Sequence, residues 1–383
     1  YEVLQNLKNL VIKLKLLRCK QVMAVEEKDL AERYKAVMVL SGVGDALGYK
    51  NGEWEFCHSG TTIHEELQKL GGLEKLDVKK WRVSDDTVLH IATAEALVSD
   101  WTTTEQLFCN MAAKYKRACA EDMWERAPGQ TTTGACFRLK PSFPKGYVIP
   151  FNPRGGGCGA AMRAMCIGLM FPHDDQVELL IEVAVESGRM THNHPTGFLG
   201  SVAAALLTAY SVQRKPLESW GAGLMNTLPK VWAYITKVNR DVEENKKNWD
   251  YFTNKWNAYL ELRGLTDGTS QPKFPEKYGI PERDAFYKSV SFSGWGGASG
   301  HDAPLIAYDA LLRARESWYE LCSGSMFHGG DSDSTGVMAA AWWGGLYGMK
   351  GVPSCNYDKL EYRKRLENLA DALLVAAKSR HGK

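Results

Sequence analysis

The chain has 383 residues, of which 44% are hydrophobic and 24% are charged. This balance is typical of a globular protein and excludes a disordered or fibrous chain, and no run of about 20 apolar residues predicts a membrane-spanning helix. The formal charge of +2 provides no field that would recruit nucleic acid or an anionic membrane, so we expect neither as a partner.

The first 22 residues differ in composition from the rest of the chain. Five bases lie among leucines, and Glu2 is the only acid in this segment. A basic amphipathic helix can contact a membrane surface or act as a targeting segment. The absence of an initiating Met at Tyr1 instead favours a leader, or an artefact of gene-model translation ahead of Met23. We expect residues 1–22 to lie outside the fold.

Helical signals dominate from Leu30 onward, and we expect residues 30–380 to form one all-α domain. No pair of alternating segments is joined by a hairpin signal, and the strand–helix alternation of a parallel sheet is missing. Two connections rich in proline and glycine, 141–159 and 264–281, lie within this one body. Apolar residues at helical spacing predict ten helices, over residues 86–98, 105–120, 159–170, 176–189, 196–212, 217–237, 242–262, 303–314, 331–347 and 360–378.

Two of these helix starts carry capping signals. Ser84 precedes two acids, which are favourable where the helix dipole is positive. Asp302 precedes Ala303 and Pro304, so it is predicted to cap a helix whose first turn holds a proline at no cost in hydrogen bonding.

The nine cysteines are odd in number, widely spaced and without a C-x-x-C pair. This pattern favours neither a disulfide framework nor a zinc ribbon. Free thiols of this kind are usual in a reducing cytosol, so we expect a cytoplasmic protein.

Two helix starts each carry a compact cluster of acids, SDDT at residues 84–87 and DSDST at residues 331–335. Taken singly, each cluster can be interpreted as a cap whose acids answer the helix dipole. Together they hold four carboxylates, more than capping needs, and carboxylate and hydroxyl oxygens suit a hard cation such as Mg²⁺ or Mn²⁺. If the two helix starts meet, one or two such ions would offset the repulsion and activate a water. Such an ion site would also suit a phosphoesterase.

Four further segments contain candidate binding residues. The glycine loop at 155–160 matches a dinucleotide-binding pattern without its strand and helix context, and it predicts either a phosphate cradle or a flexible turn. His192 and His194 do not share a helix face, which favours backbone hydrogen bonding over a zinc pair. Trp295 lies among glycines, where an exposed ring can stack on a base or cover a ligand. Glu55 by itself is most simply a solvated loop acid.

Five motifs together resemble the ADP-ribosylglycohydrolase family, in the family's order. The resemblance runs from about residue 34 to near the C-terminus, is most similar to the branch that acts on ADP-ribosylarginine, and leaves residues 1–22 outside. The motifs are WRVSDDT at 81–87, GCGAAMRAM at 157–165, GRMTHNHPTG at 188–197, GHDAP at 300–304 and HGGDSDST at 328–335.

The resemblance implies a single compact orthogonal multi-helix bundle that binds two Mg²⁺ ions, with Mn²⁺ as an alternative. The positions that match the family's metal ligands are Ser84, Asp85, Asp86, Asp331, Asp333 and Ser334. Glu55 matches a loop acid that gates the site, and Asp85, Asp86 and Glu55 are the implied catalytic residues. The implied substrate-binding residues are Glu55, Gly157, Cys158, Gly159, His192, Ser293, Trp295, Gly296, Gly297 and Ser332.

The activity that this resemblance implies is hydrolysis of the N-glycosidic bond between ADP-ribose and arginine. The partners would be mono-ADP-ribosylated proteins, and free ADP-ribose and unmodified arginine would be the products of a protein that we expect to be a monomer. Two alternatives from the family are an ADP-ribose-binding pseudoenzyme and a hydrolase of serine-linked ADP-ribose. The four retained aspartates argue against the first, and the motifs around them argue against the second.

Overall fold

The structure is a computed structural model that describes residues 2–381, with side chains from residue 25 onward. Over these residues the chain is helical and contains no strand, apart from one isolated bridge between Gly157 and Ser299, so the all-α prediction is confirmed. The fifteen helices are α1 (Glu2–Tyr49), α2 (Gly60–Lys69), α3 (Asp85–Leu97), α4 (Thr104–Glu121), α5 (Gln130–Arg138), α6 (Met165–Met170), α7 (Val177–Arg189), α8 (Pro195–Val212), α9 (Trp220–Val238), α10 (Val242–Arg263), α11 (Ile280–Val290), α12 (Asp302–Ala314), α13 (Trp318–Ser325), α14 (Ser332–Tyr347) and α15 (Arg363–Arg380).

Nine of the ten predicted helices are present, with ends shifted by at most three residues. The helix predicted over 159–170 is wrong, because residues Cys158–Ala160 form a 3₁₀ turn and α6 begins only at Met165. The reason is a tertiary contact, since a Cβ on Gly159 would lie 2.6 Å from the ring of His192. The packing of the backbone against this ring, and not the helical period, sets the conformation here. Four helices of 8 to 11 residues, α2, α5, α11 and α13, were not predicted, since they offer too few apolar positions to set a period.

The predicted cap at Asp302 is also wrong. Asp302 is the first residue of α12, and His301 occupies the capping position without a side-chain hydrogen bond. The carboxylate of Asp302 instead accepts the backbone N–H of Ser299 at 2.9 Å, which fixes the preceding loop. Ser84 caps α3 as predicted, because its Oγ accepts the N–H of Asp86 at 3.1 Å.

Helix α8 lies at the centre of the bundle, where it packs against α6, α7, α14 and α10. Among the described residues it is the one helix with the length and mean hydropathy to cross a bilayer, but all 18 of its residues are buried in the protein. Its apolar composition is therefore that of a core helix. The prediction for residues 1–22 concerns residues whose side chains lie outside the described part of the chain, and it stays a prediction.

The closest helix pairing is between α1 and α14. A Cβ on Gly44 would clash with the carbonyl oxygen of Gly336, and one on Gly48 would clash with the carbonyl oxygen of Ser332. Only glycine permits this approach, since it has no side chain to hold the two backbones apart. The first turn of α14 is therefore seated directly on α1, which fixes the position of its acidic start.

Replacing Gly44 by alanine should lower the free energy of unfolding by about 1–3 kcal/mol, because the added methyl group overpacks the contact between α1 and α14. Gly134 of α5 is the matched control, since a Cβ there meets nothing within 4 Å. Its replacement by alanine should raise stability by about 0.4–1 kcal/mol. Urea unfolding of both variants measures these effects, and a Gly44→Ala protein as stable as the unmodified one would contradict the assignment.

Candidate active site

The structure brings the two acidic helix starts together. Helix α3 begins at Asp85 and α14 begins directly after Asp331, and side chains from both line one cavity of about 500 Å³. The acidic side chains on its wall are Glu55, Asp85, Asp86, Asp331 and Asp333. The two acidic helix starts, which are far apart in the sequence, therefore meet in the fold as hypothesised.

Glu55 belongs to this acidic cluster. Carboxylate oxygens of Glu55, Asp331 and Asp333 lie within 4.8 Å of one another, and all three residues are buried. Glu55 is only 8% exposed, so its interpretation as a solvated loop acid is wrong. Buried oxygens of Glu55 (Oε2) and Asp86 (Oδ2) have no hydrogen-bond partner among the described residues. Unpaired polar atoms in such surroundings are costly, which indicates a missing partner.

The electrostatics of the cavity favour a bound cation. Burial, together with the nearby charges of Asp331 and Asp85, raises the pKa of Glu55 to about 10. Burial followed by neighbouring carboxylates likewise raises the pKa values of the aspartates 85, 86 and 333 well above their usual range. No lysine or arginine of the described residues lines the cavity. The carboxylate charges therefore need protons or cations from outside the chain.

The donor atoms fit a hard divalent cation, since they are all carboxylate or hydroxyl oxygens. Five of the six predicted ligands line the cavity: Asp85, Asp86, Asp331, Asp333 and Ser334. Ser84, the sixth, is fully buried behind the start of α3 and does not line the cavity. Its hydroxyl acts as the helix cap, so the structure gives it a supporting position.

Asp45 on α1 positions the start of α3, and it is a residue that the sequence analysis missed. It is fully buried, and its carboxylate accepts the N–H groups of Ser84 at 2.9 Å and Thr87 at 3.0 Å. The hydroxyl of Thr87 donates to the same carboxylate at 2.5 Å. An acid within the apolar VGDALG run at residues 43–48 was the available signal, because a charge inside a buried helix needs local partners.

The ion pair of Arg126 and Glu361 also supports the start of α3. Glu361 accepts the N–H of Val83 at 2.9 Å and pairs with Arg126 at 2.8 Å. The guanidinium of Arg126 donates to the carbonyl of Val83 at 2.7 Å, and its own carbonyl accepts the N–H of Asp85 at 3.1 Å. Positive charge thus supports the acidic start of α3 from behind without entering the cavity.

The glycine loop and His192 form a further part of the cavity wall, next to the acids. Gly157, Cys158 and Gly159 line the cavity, and His192 packs against them. Burial and the charge of Arg163 lower the pKa of His192 to about 3, so its imidazole is neutral at physiological pH. His192 Nδ1 lies 2.8 Å from the hydroxyl of Thr191, which fixes the ring.

Cys158 connects this wall to the acidic cluster. Its thiol donates to Oδ2 of Asp331 at 3.4 Å, and the hydroxyl of Ser334 donates to its sulfur at 3.4 Å. His194 lies apart from this arrangement, because its Nδ1 accepts the N–H of Thr196 as the cap of α8. The two histidines do not form a metal pair.

Some of the remaining predicted binding residues lie at the mouth of the cavity, and others lie behind its wall and support it. Trp295 lines the mouth beside Phe56, with ring centroids 5.9 Å apart. Gly296 lies behind the cavity, where its carbonyl accepts the N–H of Asp331 at 2.9 Å. Ser332 donates its hydroxyl to the carbonyl of Gly48 at 2.9 Å and so anchors α14 to α1. The predicted residues that do not line the cavity are Ser293, Gly296, Gly297 and Ser332.

The chain matches the family model described as ADP-ribosylglycohydrolase over residues 26–382. It is 44% identical over 363 residues to ADP-ribosylhydrolase ARH1 of Dictyostelium discoideum, covering 88% of this chain and 93% of the relative. A protein of Acanthamoeba polyphaga mimivirus, whose name describes an ADP-ribosyl glycohydrolase, is 29% identical over 360 residues, covering 87% of this chain and 68% of the viral protein.

A solved structure of an ADP-ribosylglycohydrolase-related protein complex has the same fold. It superposes with a TM-score of 0.60 at 19% identity, and the match covers 91% of this chain and 99% of the other. The chain belongs to the ADP-ribosylglycohydrolase family of hydrolases. The resemblance that the motifs indicated is confirmed at the level of the family.

Replacing Asp333 by asparagine should stabilise the metal-free protein at neutral pH. The folded-state pKa of Asp333 lies above its unfolded value, so its ionised form opposes folding, and the effect grows as the pH rises through that range. Added Mg²⁺ should raise the melting temperature of the unmodified protein and raise that of the variant much less. Thermal melts with chelator or with Mg²⁺ measure both effects. The exposed Asp250, replaced by asparagine, is the control, and a variant with an undiminished response to Mg²⁺ would contradict the cation site.

Replacing Asp45 by asparagine should weaken cation binding by about 10- to 100-fold, because the amide turns a donor toward backbone N–H groups and loosens the start of α3. Titration with Mn²⁺, followed by the electron paramagnetic resonance of the free ion, measures the affinity. Asp309 is a matched control, since it is equally buried and pairs with Arg263 at 2.8 Å outside the cavity. Asp309→Asn should lose stability but keep its Mn²⁺ affinity. Equal losses of Mn²⁺ affinity in the two variants would show that Asp45 contributes to stability and does not position the cation site.

Proposed function

We propose that this protein hydrolyses the N-glycosidic bond between ADP-ribose and arginine on mono-ADP-ribosylated proteins in a Mg²⁺-dependent reaction. The observation that carries the proposal is the cluster of five acids that lines one cavity together with a glycine loop. The relative from Dictyostelium discoideum, an ADP-ribosylhydrolase by name, supports the reaction class. The motifs around residues 157–165 and 188–197 support arginine as the attachment site.

Two divalent cations would be held by Asp85, Asp86, Asp331, Asp333 and Ser334, with Glu55 beside them, and Mn²⁺ is an alternative to Mg²⁺. When bound, such ions supply electrostatic stabilisation of charge that develops at the ribose and lower the pKa of a coordinated water. The glycine loop would accept the pyrophosphate, because backbone without side chains lets phosphate oxygens approach closely. The ring pair at the mouth, Phe56 and Trp295, offers a planar apolar contact to a base.

The attacking water needs a base within the acidic cluster. Asp85 and Asp86 are the proposed acceptors of its proton, and the unpaired Oδ2 of Asp86 gives that side chain a free lone pair for the task. The guanidine leaves readily once it is protonated, so a strong general acid is unnecessary. The neutral His192 can orient a substrate oxygen as a hydrogen-bond partner, but it holds no spare proton at neutral pH.

We also propose a cytoplasmic location and a monomeric state. All eight cysteines whose side chains are described are free thiols, as is usual in a reducing compartment. Neither proposal affects the chemistry of the cavity.

The test incubates ADP-ribosylarginine with the protein, with and without a chelator, and measures free ADP-ribose by chromatography. We expect release that stops with the chelator and returns with Mg²⁺. Asp85→Ala and Asp86→Ala should each reduce turnover by at least about 100-fold with the fold intact, whereas alanine at the exposed Asp250 should have no effect. Unchanged turnover in either cavity variant would contradict its role as base.

Other products would point to the other functions. Release only from ADP-ribosylserine would place the protein in the serine branch. Appearance of a nucleoside monophosphate would identify a phosphoesterase. Thermal stabilisation by ADP-ribose without any product would identify a binding module.

A further inference from the structure

Six large aromatic side chains are exposed among the described residues: Phe56, Trp124, Phe137, Phe143, Phe292 and Tyr319. Phe56 is 52% exposed and lines the mouth. Trp124 is 81% exposed and Phe292 is 72% exposed. Phe56, Trp124 and Phe292 together make up what we term the aromatic rim.

The rim residues come from three separate segments that each reach the cavity. Trp124 precedes the cavity-lining Ala127 by three residues, and Phe292 precedes Trp295 by three residues. Three residues span at most roughly 11 Å, so the backbone of each lies within that distance of a residue that lines the cavity. Phe56 joins the rim to the cavity itself, because its ring packs against that of Trp295.

The loop that presents Trp124 is held firmly in an unusual conformation. Glu125 and Ala127 have positive φ angles of 57° and 53°, which are rare outside glycine. The hydroxyl of Tyr49 donates to the carbonyl of Glu125 at 3.0 Å, and the buried Arg126 anchors the loop to Glu361. Backbone strain that the surroundings maintain is concentrated at functional sites. These contacts hold the loop in the conformation in which Trp124 is exposed.

A protein substrate imposes a geometric requirement on the surface around the mouth. When a modified side chain enters the cavity, the polypeptide on both sides of it must lie against the surroundings of the entrance. We propose that the aromatic rim is the docking surface for the polypeptide that carries the ADP-ribosyl group. This inference rests on the proposed function and adds the part of the substrate that the cavity does not hold. Exposed aromatic side chains beside a binding cavity can bind the parts of a substrate that flank the group inside it.

Variants of the aromatic rim should affect two substrates differently, although both substrates contain the same scissile bond. Trp124→Ser and Phe292→Ser should each lower kcat/KM on an arginine-ADP-ribosylated peptide of about 15 residues by about 5- to 30-fold, mainly through KM, because each removes one aromatic contact that the bound peptide would bury. On free ADP-ribosylarginine both variants should stay within about twofold of the unmodified protein. Tyr319→Ser is the control, since this tyrosine is 42% exposed on α13 and outside the cavity.

The outcomes of this comparison are distinct. Equal losses on both substrates, or no loss on the peptide, would overturn the docking surface. A protein that is dimeric in sedimentation and becomes monomeric with Trp124→Ser would show that a second copy covers the rim, which also overturns the proposal. Failure of the unmodified protein to release ADP-ribose from free ADP-ribosylarginine would be a failure of the proposed function, whereas the ratio between the two substrates reports on the rim alone. Thermal melts establish that the variants remain folded.

Discussion

Repulsion among buried carboxylates is the interaction on which the rest of this structure depends. Glu55, Asp85, Asp86, Asp331 and Asp333 share one cavity, and no described lysine or arginine lines it to offset them. A chain left to relax would separate these charges, because their interaction is strong where water is largely excluded. The fold must therefore hold the two acidic helix starts together mechanically.

Three contacts do this work from outside the cavity. Asp45 accepts the backbone N–H groups of Ser84 and Thr87 at the start of α3. The pair of Arg126 and Glu361 binds the backbone of Val83 just before this start. On the other side, the glycine contact between α1 and α14 seats Ser332 on Gly48. Helix α1 thus carries two of these three contacts, Asp45 and the glycine contact with α14. It sets the spacing of the acids without contributing a carboxylate to their cluster.

The cavity changes in character from its acidic side to its entrance. Carboxylates line one part of it, a glycine loop with a neutral histidine lines the part next to them, and aromatic rings lie at the mouth. In the function proposed above, these three groups would contact the ribose hydroxyls, the pyrophosphate and the base of ADP-ribose. Among the described residues that line the cavity, the one basic side chain is His192, whose imidazole burial keeps neutral, so protons or cations from outside the chain must offset the carboxylates.

The sequence by itself determined the helical fold class, most of the long helices and the identity of the acids, because helical period and capping chemistry are local properties. It also identified the family, since the motifs retain their order along the chain. The tertiary structure alone decided that Glu55 is buried, that the helix predicted from residue 159 starts six residues later, and that Asp45 and Glu361 support the site. Each of these depends on a partner far away in the sequence: Glu361 lies 278 residues from the amide that it accepts. No local pattern encodes such a pairing, because the energy of a buried charge is set by what packs around it.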